Sequence, residues 1–288
     1  MDGAGVGDAH RSGAARTRGG AGDRGGAAVS GAGSDGAWGA VEAYRRSFGA
    51  LCAGVHDLLL DALPAGRVLD VGCGPGGLLG RALDRGWDVA GVDPSPAMVA
   101  CAARVAPGRV EVGGLPRLTV ASGSQSGVVA NFVVNHLGHP VDGVREMARV
   151  LAPGGRVAMT VWPAGGAGWG GLVGEVFSAA GAREVAPERL PEEVDFPRTP
   201  QGLAGLCREA GLTVREARTV EWEWAVAPAD LWAGVEAGIA GPGRRFLAQD
   251  QATRVRVREA WRVRAGARAQ GGVLRFWNEA VLVVGEHR

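Results

Sequence analysis

The stretch RVLDVGCGPGGLLGRALDRG, residues 67–86, decides the fold. A short apolar and β-branched run ends in the glycine-rich turn GCGPGG, and LLGRALDRG then has helical character. This order predicts a strand, a glycine turn and a helix. Gly72, Gly74 and Gly76 let the backbone pass close to a ligand, and free N–H groups at the start of the helix favour an anionic group.

The glycine spacing alone leaves two ligands open. Because Gly77 follows Gly76, the turn fits both GxGxG and GxGxxG, and the second pattern is the dinucleotide fingerprint. Asp70 favours another ligand, since a carboxylate so close to the turn repels a pyrophosphate and attracts a cationic amine or sulfonium. Asp93 ends the next strand, where a carboxylate can accept hydrogen bonds from both hydroxyls of a ribose. The simpler alternatives are a tight turn for the glycines and a helix N-cap for Asp93.

Strands and helices alternate on both sides of this unit. The patterns predict further strands at 87–93, 110–114, 126–134 and 156–162, with helices at 94–108 and 141–155. Such alternation predicts an α/β fold with a parallel sheet covered on both faces. Residues 37–63 predict an amphipathic helix or a broken pair, and 213–226 and 271–287 predict an antiparallel edge.

Composition excludes several classes of protein. The chain has 288 residues, 46% of them apolar, and a net charge of +1, which argues against a dedicated nucleic-acid binder. The four cysteines have no spacing typical of a zinc site or a disulfide framework. No signal peptide and no apolar run of about 18 residues is visible, so we expect a soluble cytoplasmic protein without a membrane partner. Residues 1–36 contain 12 Gly and 8 Ala, which predicts a disordered tail before one domain at 37–288.

Four segments together resemble a known family. VLDVGCGPGG, GVDPSPAMV, NFVVNHL and ARVLAPGGRVAMTVW are similar to the class I S-adenosylmethionine-dependent methyltransferases, in particular their small-molecule branch. The resemblance covers roughly residues 38–165. It implies a Rossmann-like, doubly wound sheet of seven strands, mostly parallel, with an antiparallel last strand. It also implies an N-terminal helical cover, a lid insertion at about 163–197, and a cofactor across the C-terminal ends of the first strands.

The resemblance assigns S-adenosyl-L-methionine as the cofactor and gives roles to particular residues. The first motif holds the methionine part, the acidic residue after the second strand binds the ribose, and a methionine packs near the adenine. The end of the fourth strand lines the sulfonium side, and two aromatic residues belong to the helical cover. In chain order these residues are Tyr44, Phe48, Asp70, Gly72, Gly74, Gly76, Asp93, Met98, Asn131 and Phe132.

One segment departs from the family pattern. After the third strand the family has an acidic or polar residue that contacts the adenine amino group, whereas this chain has Gly113 and Gly114. Ser126 stands where the family has an aspartate. We therefore expect backbone groups of Gly114 and Leu115 to contact the adenine.

Methyl transfer requires orientation, a dry pocket and, for an alcohol or acidic carbon, a base. His136 follows the predicted fourth strand, and an unperturbed histidine pKa near 6.5 suits proton abstraction at neutral pH. The alternative is a structural hydrogen bond from its ring to a backbone carbonyl. Asn135 is the candidate for orienting a substrate hydroxyl. Trp162 and Trp169 are candidate neighbours of the sulfonium or substrate, with hydrophobic packing as the alternative.

These patterns favour methyl transfer to an oxygen or carbon nucleophile of a small, hydrophobic or aromatic metabolite, as in specialised metabolism. We expect the insertion at 163–197 to select this acceptor. No nucleic-acid partner and no metal are expected, and the protein is expected to be a monomer or homodimer. Two alternatives stay open, a nicotinamide-dependent oxidoreductase and a protein that binds the cofactor without transferring a methyl group.

Overall fold

The fold is built around one sheet of seven strands. In this computed structural model the described residues are residue 1 and residues 34–165, 168–187 and 189–288, so most of the predicted disordered tail lies outside them. The spatial order of the strands is β3, β2, β1, β4, β5, β7, β6. Their bounds are β1 Arg67–Val71, β2 Asp88–Asp93, β3 Val110–Val112, β4 Gln125–Asn131, β5 Leu151–Val161, β6 Thr213–Val226 and β7 Leu274–Glu286.

The direction of the strands confirms the predicted architecture. Strands β1 to β5 pair in parallel, and β7 lies between β5 and β6 and is antiparallel to both. The sheet is therefore mostly parallel with an antiparallel last strand. Parallel strands place their C-terminal ends on one edge of the sheet, and ligands bind at that edge in open α/β folds.

Helices cover both faces of the sheet. Helices α3 to α5 pack on one face, where Leu59 and Leu79 are fully buried, and α6 and α8 pack on the other face with Met147 and Leu203. The bounds are α1 Ser34–Arg46, α2 Phe48–Cys52, α3 His56–Asp61, α4 Gly77–Asp84, α5 Pro96–Val105, α6 Pro140–Val150, α7 Gly170–Ala179, α8 Pro200–Glu209, α9 Pro228–Glu236, α10 Ala240–Leu247 and α11 Gln251–Arg268.

Short polar side chains begin several of these helices. Ser95 caps α5 by accepting a hydrogen bond from the backbone N–H of Met98 at 3.4 Å, and Thr199 caps α8 in the same way. A proline follows each of these two caps. Proline suits the first helical turn because an N–H at that position would have no carbonyl partner within the helix, so its absence costs no hydrogen bond.

A third core lies beyond the sheet edge. Pairing between β5 and β7 ends at Val161 and Val281, whereas β6 and β7 continue to pair up to Val226 and Leu274. We call residues 222–226 and 274–278 the ribbon. The ribbon packs with α2, α7, α9, α10 and α11 around buried Phe177, and we call this assembly the cap.

Several predicted boundaries differ in the structure, and residues 151–155, predicted to end a helix, form the start of strand β5. Strand β4 ends at Asn131 instead of residue 134, because Phe132 has a φ of +57° that interrupts the extended backbone. The N–H of Phe132 donates to the carbonyl oxygen and to Oγ1 of Thr160, both at 3.1 Å. The predicted helical region 37–63 divides into α1, α2, a 3₁₀ turn at Ala53–Val55, and α3.

The sheet core predicts a position-dependent effect on stability. Met159 in β5 is fully buried, whereas Val112 in β3 is 55% exposed. We expect Met159→Ala to lower the free energy of unfolding by about 2–5 kcal/mol, because it removes buried methylene groups and leaves a cavity. Val112→Ala is the matched control, with an expected change within about 0.5 kcal/mol. Urea unfolding measures both values, and equal losses would contradict the described core.

Candidate functional site

The glycine turn connects β1 to α4 in a left-handed conformation. Gly72, Gly74 and Gly76 have φ values of +72°, +53° and +91°, which glycine adopts without steric cost. A Cβ atom on Gly72 would lie 2.5 Å from Val133 Cγ2, so no side chain fits there. On Gly74 the nearest atom to such a Cβ is Tyr44 Cε1 at 3.8 Å. The backbone of Gly74 is therefore open to a ligand beneath the Tyr44 ring.

Asp93 fixes the shape of this turn. Its Oδ2 accepts a hydrogen bond from the Gly74 N–H and its Oδ1 accepts one from the Ser95 N–H, both at 2.9 Å. Burial raises the pKa of Asp93, and these two hydrogen bonds oppose that shift. Each carboxylate oxygen has a further lone pair, so Asp93 can still accept hydrogen bonds from ligand hydroxyls.

Asp70 is a buried carboxyl group of a different kind. The residue is 2% exposed and is the next-to-last residue of β1, between the paired strands β2 and β4. Burial first, and the nearby Asp93 charge second, raise the pKa of Asp70 to about 7, and no hydrogen bond from a described residue opposes this shift. A cationic ligand group beside Asp70 would stabilise its charged form.

A cavity of about 540 Å³ opens between the glycine turn and the N-terminal helices. Asp70, Gly72, Gly74 and Gly76 form one wall. The opposite wall consists of residues from α1 to α3 and the turn between them, namely Tyr44, Gly49, Ala50, Cys52, Ala53 and His56. The volume lies within the range of about 300–1,000 Å³ that is typical of small-molecule sites.

Asn131 links the cavity to the neighbouring elements. Its Nδ2 donates to the carbonyl oxygen of Cys52 at 3.1 Å, and its Oδ1 accepts from Thr160 Oγ1 at 2.6 Å. The side chain lines the cavity. These bonds hold the N-terminal segment against the ends of β4 and β5.

An aromatic cluster lies next to Asn131. The rings of Phe132 and Trp162 stack with centroids 4.0 Å apart and planes 14° apart, and the rings of Trp162 and Trp222 lie 5.9 Å apart. Trp222 Nε1 donates to the carbonyl oxygen of Leu51 at 3.1 Å. Gly54 permits this packing, since a Cβ there would lie 2.2 Å from Trp222 Cδ1. We call Phe132, Trp162 and Trp222 the aromatic cluster.

The cavity brings together six of the residues predicted to bind the cofactor, namely Tyr44, Asp70, Gly72, Gly74, Gly76 and Asn131. Asp93 stands behind the turn, Phe132 lies in the aromatic cluster, and Phe48 packs on Trp169 with ring centroids 5.1 Å apart. None of these three lines the cavity.

The residues predicted near the adenine follow Asp93 in the chain and lie outside the cavity wall. Met98 is half-buried in the first turn of α5. Gly114 lies beside Pro94, with 3.7 Å between its Cβ position and Pro94 Cδ. The Leu115 side chain faces α6, where Leu115 Cδ1 lies 3.4 Å from the Cβ position of Gly143. These three residues do not line the cavity either.

The predicted base lies apart from the cavity. His136 is exposed in a 3₁₀ turn at Val134–His136. Asn135 in the same turn is half-buried, and its Oδ1 is buried without a hydrogen-bond partner among the described residues. Neither residue is part of the cavity wall, and their catalytic roles remain predictions.

Cys52 and His56 are among the cavity residues that were not predicted from the sequence. Cys52 lies against the Tyr44 side chain, and burial raises the pKa of its thiol to about 12. His56 was expected to be structural, yet its ring lines the cavity, with Cε1 3.3 Å from the Cβ position of Gly77. Burial lowers the pKa of His56 to about 4, so the ring is neutral at pH 7. The only signal in the sequence for these two positions was the break in the helical pattern of residues 37–63. That break turns Cys52 and His56 toward the glycines.

Neither a metal centre nor a membrane-spanning helix is found among the described residues. Within the described ranges, no group of three or more His, Cys, Asp or Glu side chains is arranged to hold a metal ion. Among the helices that the structure describes, none is both long and apolar enough to cross a membrane.

Comparison with known proteins identifies relatives of the central sheet. Residues 69–159 match the family described as "Methyltransferase domain". A demethylmenaquinone methyltransferase of Thermus thermophilus is 31% identical over 175 residues, which cover 55% of this chain and 79% of that protein. An uncharacterised methyltransferase of Mycobacterium tuberculosis is 35% identical over 155 residues, covering 53% of this chain and 63% of the relative.

Coverage differs among the matches. Several relatives are matched over only part of their own length, and this chain covers between 31% and 63% of them. A solved structure concerned with the conversion of a disulfide bond into a thioacetal group during echinomycin biosynthesis shares the fold. It has a TM-score of 0.51 and 18% identity, and covers 81% of this chain and 80% of the other.

The raised pKa of Asp70 predicts pH-dependent binding of an amino-acid-bearing nucleoside. Between about pH 5 and 7 the empty site holds a proton on Asp70, and a bound ammonium group displaces that proton. We expect the affinity for S-adenosyl-L-homocysteine to rise as the pH increases through this range and to become constant above it. Calorimetric titration at several pH values measures this dependence.

Two controls separate Asp70 from other titrating groups. Asp70→Asn is expected to bind S-adenosyl-L-homocysteine more weakly, with little dependence on pH. Methylthioadenosine lacks the amino acid part, so its affinity for the unmodified protein is expected to vary little over the same range. A pH dependence that persists in Asp70→Asn would contradict the assignment.

Proposed function

Because the chain belongs to the class I S-adenosylmethionine-dependent methyltransferases, we propose that it methylates an oxygen or carbon nucleophile of a small, hydrophobic or aromatic molecule. The observation that carries the proposal is the Asp70 carboxyl group, which is buried and borders the cavity at the glycine turn. A dinucleotide site gains nothing from a carboxylate there, because its pyrophosphate is negative.

The residues present fit the cofactor of this family. We assign to Asp70, which lines the cavity, the pairing with the ammonium group of the methionine part, and to Asp93, behind the turn, the hydrogen bonds from the ribose hydroxyls. Gly74 has open space where any other residue would have a side chain. Tyr44, above Gly74, covers the site with its ring, and burial raises the pKa of its hydroxyl. The tyrosine therefore stays neutral at pH 7.

When bound, S-adenosylmethionine supplies a methyl group that is already activated by its positively charged sulfur. The protein's contribution is therefore orientation and exclusion of water. Asn131, whose amide is held by bonds to Cys52 and Thr160, defines the cavity wall next to the aromatic cluster. Aromatic faces attract cations and pack against flat apolar molecules, so the half-buried Trp162 and Trp222 rings are our proposed contact for an aromatic or hydrophobic acceptor.

The name of one relative agrees with the proposal that the methyl acceptor is a small molecule. The Thermus protein is named for action on demethylmenaquinone, a small hydrophobic molecule. We extend only the class of acceptor to this chain. The proposed cover for the acceptor is the segment 163–197, whose helix α7 packs its buried face into the cap. His136 and Asn135 are the residues proposed to act on the acceptor's proton and hydroxyl.

Cofactor binding tests this proposal directly. We expect calorimetry to show binding of S-adenosylmethionine and S-adenosyl-L-homocysteine but not of NAD. Asp93→Ala removes the acceptor of the Gly74 and Ser95 N–H groups and of the ribose hydroxyls, so we expect it to weaken binding by about 1–3 kcal/mol.

Asp142→Ala is the matched control, because this exposed aspartate on α6 pairs with Arg145 outside the cavity. Its affinity for both nucleosides is expected to equal that of the unmodified protein. Binding of NAD, or of none of the three ligands, would contradict the proposed function. Binding of both nucleosides without methylation of any hydroxylated or acidic-carbon aromatic acceptor would favour a protein that binds the cofactor without methyl transfer.

A further inference from the structure

The His56 ring faces the cofactor cavity without a hydrogen-bond partner. This half-buried ring lines the cavity, and neither of its nitrogens is hydrogen-bonded to a residue within the described ranges. Burial lowers the pKa of His56 to about 4, so at pH 7 the imidazole is neutral and keeps one N–H donor. The ring can therefore donate a hydrogen bond to a ligand in the cavity.

The start of helix α4 lies beside this ring. His56 Cε1 is 3.3 Å from the Cβ position of Gly77, the first residue of the helix. Gly77 and Leu78 line the cavity, and no side chain caps this end of α4. The first N–H groups of a helix have no acceptor within it and favour an anionic group. We call the imidazole N–H of His56 and the N–H groups of Gly77 and Leu78 the donor cluster.

The arginines at the mouth of the cavity are already paired. Arg45 donates to the Glu42 carboxylate through Nε at 2.9 Å and Nη2 at 2.8 Å. Arg81 donates to the Asp57 carboxylate through the same two nitrogens, at 2.7 and 2.8 Å. Arg45, Arg81, Asp57 and Asp84 all line the cavity, and their formal charges cancel. Either arginine would have to leave a carboxylate to bind another one, whereas the donor cluster needs no such exchange.

Asp70 indicates what kind of anion the donor cluster would meet. Its buried carboxyl group borders the same cavity of about 540 Å³ and accepts no hydrogen bond from a residue that the structure describes. A carboxylate and a cluster of donors in one cavity fit a zwitterion, whose ammonium and carboxylate groups are attached to one carbon atom. The methionine part of S-adenosylmethionine is such a zwitterion. With its ammonium group at Asp70, its carboxylate requires donors within this cavity.

We propose that His56, together with the N–H groups at the start of α4, binds the carboxylate of the cofactor's amino acid part. This inference rests on the proposed function, because it assigns a further residue to the same cofactor site. His56 is a specificity residue, which selects nucleosides with a carboxylate over those that carry only the amine. It takes no part in methyl transfer. Asp70 and His56 thus recognise the two charges of one amino acid.

Four nucleosides separate the two charges in the test. S-Adenosyl-L-homocysteine carries both, its decarboxylated form carries only the amine, its deaminated form carries only the carboxylate, and methylthioadenosine carries neither. Each is titrated by calorimetry into the full chain at about pH 8, where Asp70 is charged. We expect S-adenosyl-L-homocysteine to bind about ten to one hundred times more tightly than its decarboxylated form, because hydrogen bonds to a charged group are strong.

His56→Leu removes the imidazole N–H from the donor cluster. We expect this variant to lower the preference for S-adenosyl-L-homocysteine over its decarboxylated form to about threefold or less, because only the backbone N–H groups remain. Its affinity for methylthioadenosine is expected to equal that of the unmodified protein, which would show that the nucleoside site is intact. Asp70→Asn is expected to lose the preference for S-adenosyl-L-homocysteine over its deaminated form and to keep the preference for the carboxylate.

His139→Leu is the matched control. His139 is an exposed histidine before α6 and lines a different cavity, so we expect this variant to keep the full preference for the carboxylate. His56→Asn is a conservative variant whose amide retains an N–H donor. We expect it to keep more of the carboxylate preference than His56→Leu does. A preference equally low in both variants would contradict a role for the imidazole N–H.

Three further results would overturn the inference. The first is equal affinity of the unmodified protein for S-adenosyl-L-homocysteine and its decarboxylated form, and the second is an unchanged preference in His56→Leu. The third is a preference that is lost in Arg45→Gln or Arg81→Gln instead, which would assign the carboxylate to an arginine. All three leave the proposed function intact, because the nucleosides still bind. Failure of all four nucleosides to bind would contradict the proposed function and this inference with it.

Discussion

The contrast between two buried carboxyl groups at the glycine turn determines how the site works. Asp93 is partnered by two backbone N–H groups and holds the turn in shape. Among the described residues Asp70 has no such partner, and burial and the neighbouring Asp93 charge raise its pKa to about 7. A protein interior tolerates such a group at a cost, which a cationic ligand offsets. The glycine turn and the N-terminal helices enclose the cavity that this carboxyl group borders.

The cap resembles the glycine turn in that it buries polar atoms that have no partner in the described part of the chain. Its core consists of aromatic and aliphatic side chains, and its polar atoms are few and buried. On the ribbon, Trp224 Nε1 and Asn278 Oδ1 have no hydrogen-bond partner among the described residues. Polar atoms held without partners by rigid strands are suited to recognition, because binding need not first break a bond within the protein.

Sequence patterns predicted the sheet well and the site incompletely. Runs such as RVLDV followed by glycines have strong local signals, and the antiparallel edge followed from two late strands without a short crossover. The boundary of β4 was wrong because the positive φ of Phe132 depends on its bonds to Thr160 in another strand. Likewise, Cys52 and His56 reach the cavity only because the N-terminal helix breaks twice. Periodicity within one helix contains no information about such tertiary contacts.

The most direct measurement is a crystal structure of the full chain with S-adenosyl-L-homocysteine. We expect the amino group of the ligand to lie within hydrogen-bond distance of the Asp70 carboxylate and the ribose hydroxyls to lie at Asp93. The glycine turn is expected to keep its bond from Gly74 to Asp93. A ligand bound elsewhere, or one whose amino group faces away from Asp70, would contradict the claim that this buried charge organises the site.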